Sequence, residues 1–158
     1  MSWRRRCATS EGCVAAGEEL ARALRPGDVI LLTGPLGAGK TTFAKGVARG
    51  LGVVERVTSP TFTMVREHHC SNCLGITTLH HCDLYRVESL DEVVDLAIGE
   101  LVEESAVAVV EWGELAASIF GRDVMTIDFT VGEDDSRDLV IDGVLADQRV
   151  ADLDRWAR

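Results

Sequence analysis

The sequence predicts an α/β fold: a three-layer sandwich around one mixed, mostly parallel sheet. Three observations point there. Strand-like apolar segments alternate with helix-like ones, the pattern that lays helices against a largely parallel sheet. The five-residue apolar run Ala106–Val110 suits a strand buried on both faces. Finally, Gly34-Pro35-Leu36-Gly37-Ala38-Gly39-Lys40-Thr41 matches G-x-x-x-x-G-K-[ST] and joins strand-like Asp28–Leu32 to helix-like Thr42–Leu51.

The other elements follow in chain order. Residues 10–24 space Val14, Leu20, Ala21 and Leu24 along one helix face, with Thr9 or Ser10 as N-cap and Pro26-Gly27 as the stop. The second helix ends near Gly50-Leu51-Gly52. Thr61–Val65 and Thr77–Tyr85 read as two strands of a hairpin, whose turn carries Ser71-Asn72 and Gly75. Ser89 is placed to cap a helix over Leu90–Leu96, and a second short helix is expected over Ile98–Glu104. Met125–Val131 and Asp138–Ile141 read as strands joined by the acidic turn Gly132-Glu133-Asp134-Asp135. Ala146–Arg158 reads as a surface helix. The hairpin makes the sheet mixed rather than purely parallel. No repeat or linker divides the chain, so one domain over 1–158 is expected.

Composition narrows the function. A formal charge of −10 argues against a broad nucleic-acid footprint, which needs clustered Lys and Arg, and the only basic cluster is Arg4-Arg5-Arg6. No apolar run approaches the about 18 residues of a membrane span, and no export signal is apparent. Five cysteines, an odd number, favour free thiols over a disulfide framework. A cytoplasmic protein is expected.

The chemistry starts at the glycine-rich loop. Between a strand and a helix, glycine frees backbone N–H groups to face phosphate oxygens, and the helix N-terminus adds partial positive charge. Lys40 would reach the β- and γ-phosphates, and Thr41 would place a hydroxyl on Mg²⁺. A nucleoside triphosphate is the ligand this pattern predicts. Such a loop needs a second acidic group for the metal, usually at the end of a buried strand. Glu111, directly after Ala106–Val110, stands there. Trp112 is either core packing or part of the ligand edge. In His81-Cys82-Asp83-Leu84-Tyr85-Arg86 the strand period puts His81, Asp83 and Tyr85 on one face, where a carboxylate can orient or deprotonate an attacking water. An Asp–Arg pair closing a strand is the plainer reading. Ser59-Pro60-Thr61-Phe62 is a hydroxyl-rich turn that fits a structural role equally well.

With these segments in hand, the chain resembles the TsaE family, small bacterial ATPases of tRNA threonylcarbamoyladenosine (t6A) synthesis. The resemblance runs from Thr9-Ser10-Glu11 to Arg137. It rests on GPLGAGKTT at 34–42, SPTF at 59–62, HCDLYR at 81–86 and VEWGE at 110–114, in the family's order. It implies a P-loop NTPase-like fold and binding of ATP with Mg²⁺. Leu36, Gly37, Ala38, Gly39, Lys40, Thr41 and Thr42 would wrap the phosphates, with Lys40 as the phosphate-binding lysine. Thr41 and Glu111 would hold the metal, Asp83 would serve hydrolysis, and Trp112 matches a functional tryptophan. Ser10 and Arg137 would add nucleotide contacts, and Thr61 would lie beside the γ-phosphate as a switch. The implied partners are TsaD and TsaB, with tRNA reached only through them. A small-molecule kinase and a nucleotide-gated scaffold are the alternatives from other classes. No arginine-bearing lid of the kind such kinases use is recognisable between Glu111 and the C-terminus.

Two features depart from the family. Gly113 stands where proline is common after Glu-Trp. All four histidines and three of the five cysteines lie between 68 and 82, which raises zinc as a possibility. Geometry limits that reading, since an extended return strand puts His81 and Cys82 about 25 Å from Cys73. Exposed thiols or a labile disulfide are the alternative.

Overall fold

A computed structural model describes residues 1–60, 64–95, 102, 105–114, 116–121 and 123–158. Their elements are β1 (Trp3–Cys7), α1 (Ser10–Ala21), β2 (Val29–Thr33), α2 (Lys40–Gly50), β3 (Val65–His69), β4 (Thr78–Asp83), α3 (Leu90–Asp95), β5 (Ala106–Glu111), α4 (Ala117–Phe120), β6 (Met125–Val131), β7 (Arg137–Asp142), α5 (Val144–Asp147) and α6 (Val150–Trp156). The strands form one sheet in the order β1-β7-β6-β2-β5-β4-β3. Its four central strands, β6, β2, β5 and β4, run parallel, and both flanks are antiparallel. The predicted mixed sheet is therefore parallel where the site forms.

Strand alternation feeds two cores. Ile30, Leu32, Val107, Val109, Ile127 and Phe129 face α1, α2 and α6. Val29, Leu31, Ala108, Val110 and Cys82 face the other side, packed with Leu84, Val87 and Ala116. Every residue of β5 is buried, which accounts for its unbroken apolar run.

Helices α1 and α2 meet backbone to backbone. A Cβ on Gly17 would lie 2.2 Å from the Phe43 carbonyl oxygen, and one on Gly46 would lie 2.1 Å from that of Val14. This contact fixes α2, and with it the loop at its N-terminus.

The ends of the chain depart most from expectation. The strand β1 was not foreseen, because three consecutive arginines hide its alternation. Its buried residues are Trp3 and Cys7. Two of the three arginines have partners within the protein: Arg5 pairs with Glu19 and lies over the Trp156 ring, while Arg6 donates to Asp134 and Ser136. The tail is two short helices, α5 and α6, and not one surface helix. Leu153 and Trp156 are buried, and the Trp156 Nε1 donates to the Ala16 carbonyl at 2.8 Å. Between the two helices, buried Arg149 turns inward to Asp28 at 3.1 Å, as a buried cation must find its carboxylate.

Smaller shifts have local causes. Thr9 is the N-cap of α1, accepting from the Gly12 N–H, and the helix stops at Ala21 before Leu24. The first hairpin strand begins at Val65 because Met64 adopts φ 64°, a left-handed turn that donates to the Pro60 carbonyl. Residues 61–63 of that expected strand lie outside the described residues, as does most of the helix expected over Ile98–Glu104. The acidic turn at 132–135 closes through the Gly132 N–H and the Ser136 carbonyl at 2.8 Å. Gly46→Ala is expected to lower the unfolding free energy by about 1–3 kcal/mol, since the added methyl meets backbone and not a movable side chain. Urea unfolding of the variant checks it; an unchanged midpoint would show that the helices separate freely.

Candidate functional site

The loop between β2 and α2 folds as its glycines allow. Gly34, at φ 129°, approaches Phe129 so closely that a Cβ would lie 2.5 Å from its carbonyl oxygen. Gly39, at φ 98°, occupies the N-cap of α2 in left-handed geometry. The free N–H groups of the first turn then point out of the loop, where helix polarity favours an anion.

Parallel register brings the acidic groups to this loop. Leu32 pairs with Glu111 across β2–β5, and Asp83 pairs with Glu111 across β5–β4, so the strands end together below the start of α2. The Thr41 hydroxyl donates to Glu111 Oε1 at 2.6 Å. The other Glu111 oxygen meets His81 Nε2 at 2.5 Å, with both side chains buried. Asp83, also buried, accepts from the Tyr85 N–H at 2.9 Å and the Ser59 hydroxyl at 3.3 Å. A strand pair, a helix turn and the 59–60 segment thus converge on two neighbouring carboxylates.

Lys40 is buried beside them. Its ammonium donates to the carbonyls of Gly34 at 2.6 Å and Pro35 at 2.8 Å, and lies 3.8 Å from the centroid of the Trp112 ring. Burial holds its pKa below the ordinary lysine value, with Glu111, Glu114 and Asp83 pulling the other way. Trp112 adopts φ 59°, a left-handed conformation that costs a non-glycine residue about 1–2 kcal/mol. That turn sets its indole against Lys40 and against Tyr85, whose ring centroid is 4.9 Å away. Gly113 then donates its N–H to the Leu32 carbonyl at 3.2 Å, a bond that proline could not make.

Lys40, Thr41, Asp83, Tyr85, Glu111 and Trp112 line a cavity of about 430 Å³. Of the sequence-predicted residues, Ser10, Leu36, Gly37, Ala38, Gly39, Lys40, Thr41, Thr42, Asp83, Glu111, Trp112 and Arg137 all line it. Arg137 reaches across from β7 to the Gly37 carbonyl at 3.2 Å. Thr61 lies outside the described residues. Residues not singled out in advance also line the cavity, among them Cys7, Thr9, Cys13 and Ser59. Thr9 was signalled as a cap, and Ser59 by its place in the hydroxyl-rich turn. The two cysteines needed the unforeseen strand β1.

The hairpin residues that suggested zinc disperse. His68 is buried against Glu55, Cys70 is a buried thiol and Cys73 is exposed. Among the described residues no three His, Cys, Asp or Glu side chains gather as a metal site. Nor is any described helix long and apolar enough to cross a membrane.

Fold and site define a phosphate-loop α/β protein whose acidic groups sit beside the loop. The comparisons carry this to a family. The family model "Threonylcarbamoyl adenosine biosynthesis protein TsaE" matches residues 7–139. The "tRNA threonylcarbamoyladenosine biosynthesis protein TsaE" of Treponema pallidum is 42% identical over 125 residues, covering 79% of this chain and 89% of that protein. Its Bacillus subtilis counterpart is 38% identical over 144 residues, covering 91% and 86%. The crystal structure of Bacillus subtilis YdiB superposes with a TM-score of 0.74 at 30% identity, over 100% of this chain and 95% of that one. The chain belongs to the TsaE family.

Gly39→Ala is expected to lower the unfolding free energy by about 1–2 kcal/mol, because its left-handed backbone penalises a Cβ although the surrounding space would admit one. Urea unfolding measures this, and a neutral variant would show that the loop relaxes to another conformation.

Proposed function

We propose that this protein binds ATP with Mg²⁺ at the Gly34–Thr41 loop and hydrolyses it while serving tRNA threonylcarbamoyladenosine synthesis. The observation that carries the proposal is the convergence of Thr41, Glu111 and Asp83 at the mouth of α2. Family membership supports the pathway.

The residues fit the ligands. Gly37 and Gly39 leave backbone N–H groups and open space at the helix start for phosphate oxygens. A hydroxyl and a carboxylate are hard oxygen donors of the kind Mg²⁺ takes, so Thr41 and Glu111 would hold it. When bound, Mg²⁺ neutralises charge on the phosphates. Glu111 is already oriented by its two hydrogen bonds, and its geometry leaves the Thr41 oxygen lone pairs free. Lys40, held by two carbonyls and a ring face, can exchange them for phosphate oxygens within the same pocket. Asp83 presents a buried carboxylate next to the metal pair, held by the Tyr85 N–H and positioned to take a proton from an attacking water. Trp112 and Tyr85 wall this region with aromatic surface. Arg137 sits on the loop from the other side.

The working partners in this reading are TsaD and TsaB, with the energy of hydrolysis spent on resetting their complex. A protein of formal charge −10, with Arg5 and Arg6 of its one basic cluster paired to Glu19 and Asp134, is a poor tRNA ligand alone, which favours access to tRNA through such partners. Asp83→Asn decides whether hydrolysis is chemistry at this carboxylate. Phosphate release, stimulated by TsaD–TsaB in the wild type, should fall about 10²-fold or more in the variant while ATP affinity changes little. Equal turnover in both proteins, or a phosphorylated metabolite in place of free phosphate, would refute the reading.

A further inference from the structure

One wall of the cavity carries chemistry that nucleotide handling leaves unused. Cys7 ends β1 and Cys13 lies in the first turn of α1; both line the cavity, each only 2% exposed. The chain turns between them so tightly that a Cβ on Gly12 would lie 3.7 Å from the Cα and Cβ of Cys7. Both side chains belong to one buried cluster and to the same cavity wall. On its other side the Cys13 sulfur faces the loop, 3.7 Å from where a Gly39 Cβ would stand. Arg137, which donates to the Gly37 carbonyl, pairs with Cys7 in the β1–β7 ladder.

The pair is asymmetric. The neighbouring Cys7 thiol, reinforced by the Arg137 charge, outweighs burial and brings the Cys13 thiol down to about 7. Much of it is thiolate at neutral pH, the form that attacks electrophiles. Cys7 is held up as the proton donor. Burial pushes Cys70 up to about 11 and Cys82 up to about 12, so neither competes.

We infer that Cys7 and Cys13 are a dithiol that a hydroperoxide oxidises to a disulfide, and that nucleotide in the cavity shields the pair. The shielding half rests on the functional proposal above. The Cys13 thiolate attacks one peroxide oxygen and breaks the O–O bond. Sulfur keeps that oxygen as a sulfenic acid, and the other leaves as hydroxide, which takes up the proton Cys13 had released and becomes water. Cys7 then attacks the Cys13 sulfur, and its proton leaves with the displaced hydroxide as a second water. Two sulfurs give up two electrons and the peroxide accepts them. A phosphate chain beside Gly39 opposes this twice, by covering the Cys13 sulfur and by raising its pKa with negative charge.

The test treats the reduced full-length chain with hydrogen peroxide, with and without Mg²⁺ and a non-hydrolysable ATP analogue. Free thiols are then blocked, and intact mass and peptide cross-links are read. Binding of a fluorescent ATP analogue is measured on the same samples. Without nucleotide, a loss of two hydrogens (about 2 Da) with a Cys7–Cys13 cross-link is expected, reversed by dithiothreitol. At about ten times its Kd the nucleotide should slow this roughly tenfold, since about one site in eleven stays open. Cys73→Ser should respond as the wild type does, whereas Cys7→Ser should show no loss of hydrogens and carry sulfinate on Cys13. Oxidation confined to Cys73, or no cross-link, overturns the dithiol. Nucleotide that binds without slowing the reaction overturns the shielding. Nucleotide that fails to bind overturns the functional proposal and the shielding with it, and the cross-link alone then decides the dithiol.

Discussion

The hydrogen bond from the Thr41 hydroxyl to Glu111 joins the helix that follows the glycine loop to the end of the central strand. Both partners sit in positions that other forces set. Glu111 lies where β5 ends because its two parallel neighbours share its register, and Thr41 lies in the first turn of α2 because Gly17 and Gly46 seat that helix against α1. His81 takes the second Glu111 oxygen, so the carboxylate is fixed from two sides inside the protein. A buried carboxylate held this way is oriented before any ligand arrives, which is what metal-assisted chemistry asks of its side chains.

Lys40 shows the opposite design. Its ammonium is buried, yet its partners among the described residues are two loop carbonyls and an aromatic face, with no ion pair to a carboxylate there. Each is weaker than a phosphate oxygen as a partner for a cation in a partly desolvated pocket. The strained backbone of Trp112 places the ring that supports this arrangement. Backbone strain of this kind persists where the surroundings impose it and gathers at functional positions.

The site was legible wherever its signal was local. The Gly34–Thr41 spacing, the apolar run before Glu111 and the two-residue period through His81 and Asp83 each carry their geometry within a few residues. Convergence of Glu111 and Asp83 followed once both ended parallel strands. What escaped the sequence depended on distant partners. Arg4-Arg5-Arg6 read as a basic cluster because nothing nearby reveals Glu19, Asp134 or the Trp156 ring. The tail read as surface because burial of Trp156 and Arg149 is decided by Ala16 and Asp28, more than a hundred residues away in sequence. The hairpin moved toward its turn because Met64 takes a left-handed backbone, a choice no propensity for methionine suggests. With β1 unseen, Cys7 could not be placed beside Cys13.

The measurement that bears most directly on this account is a crystal structure grown with Mg²⁺ and a non-hydrolysable ATP analogue. The account predicts the triphosphate over the N–H groups of Gly37–Thr41, with the metal about 2.1 Å from the Thr41 hydroxyl oxygen and Glu111 in its immediate surroundings. A nucleotide seated elsewhere, or a metal held without Thr41 and Glu111, would contradict it.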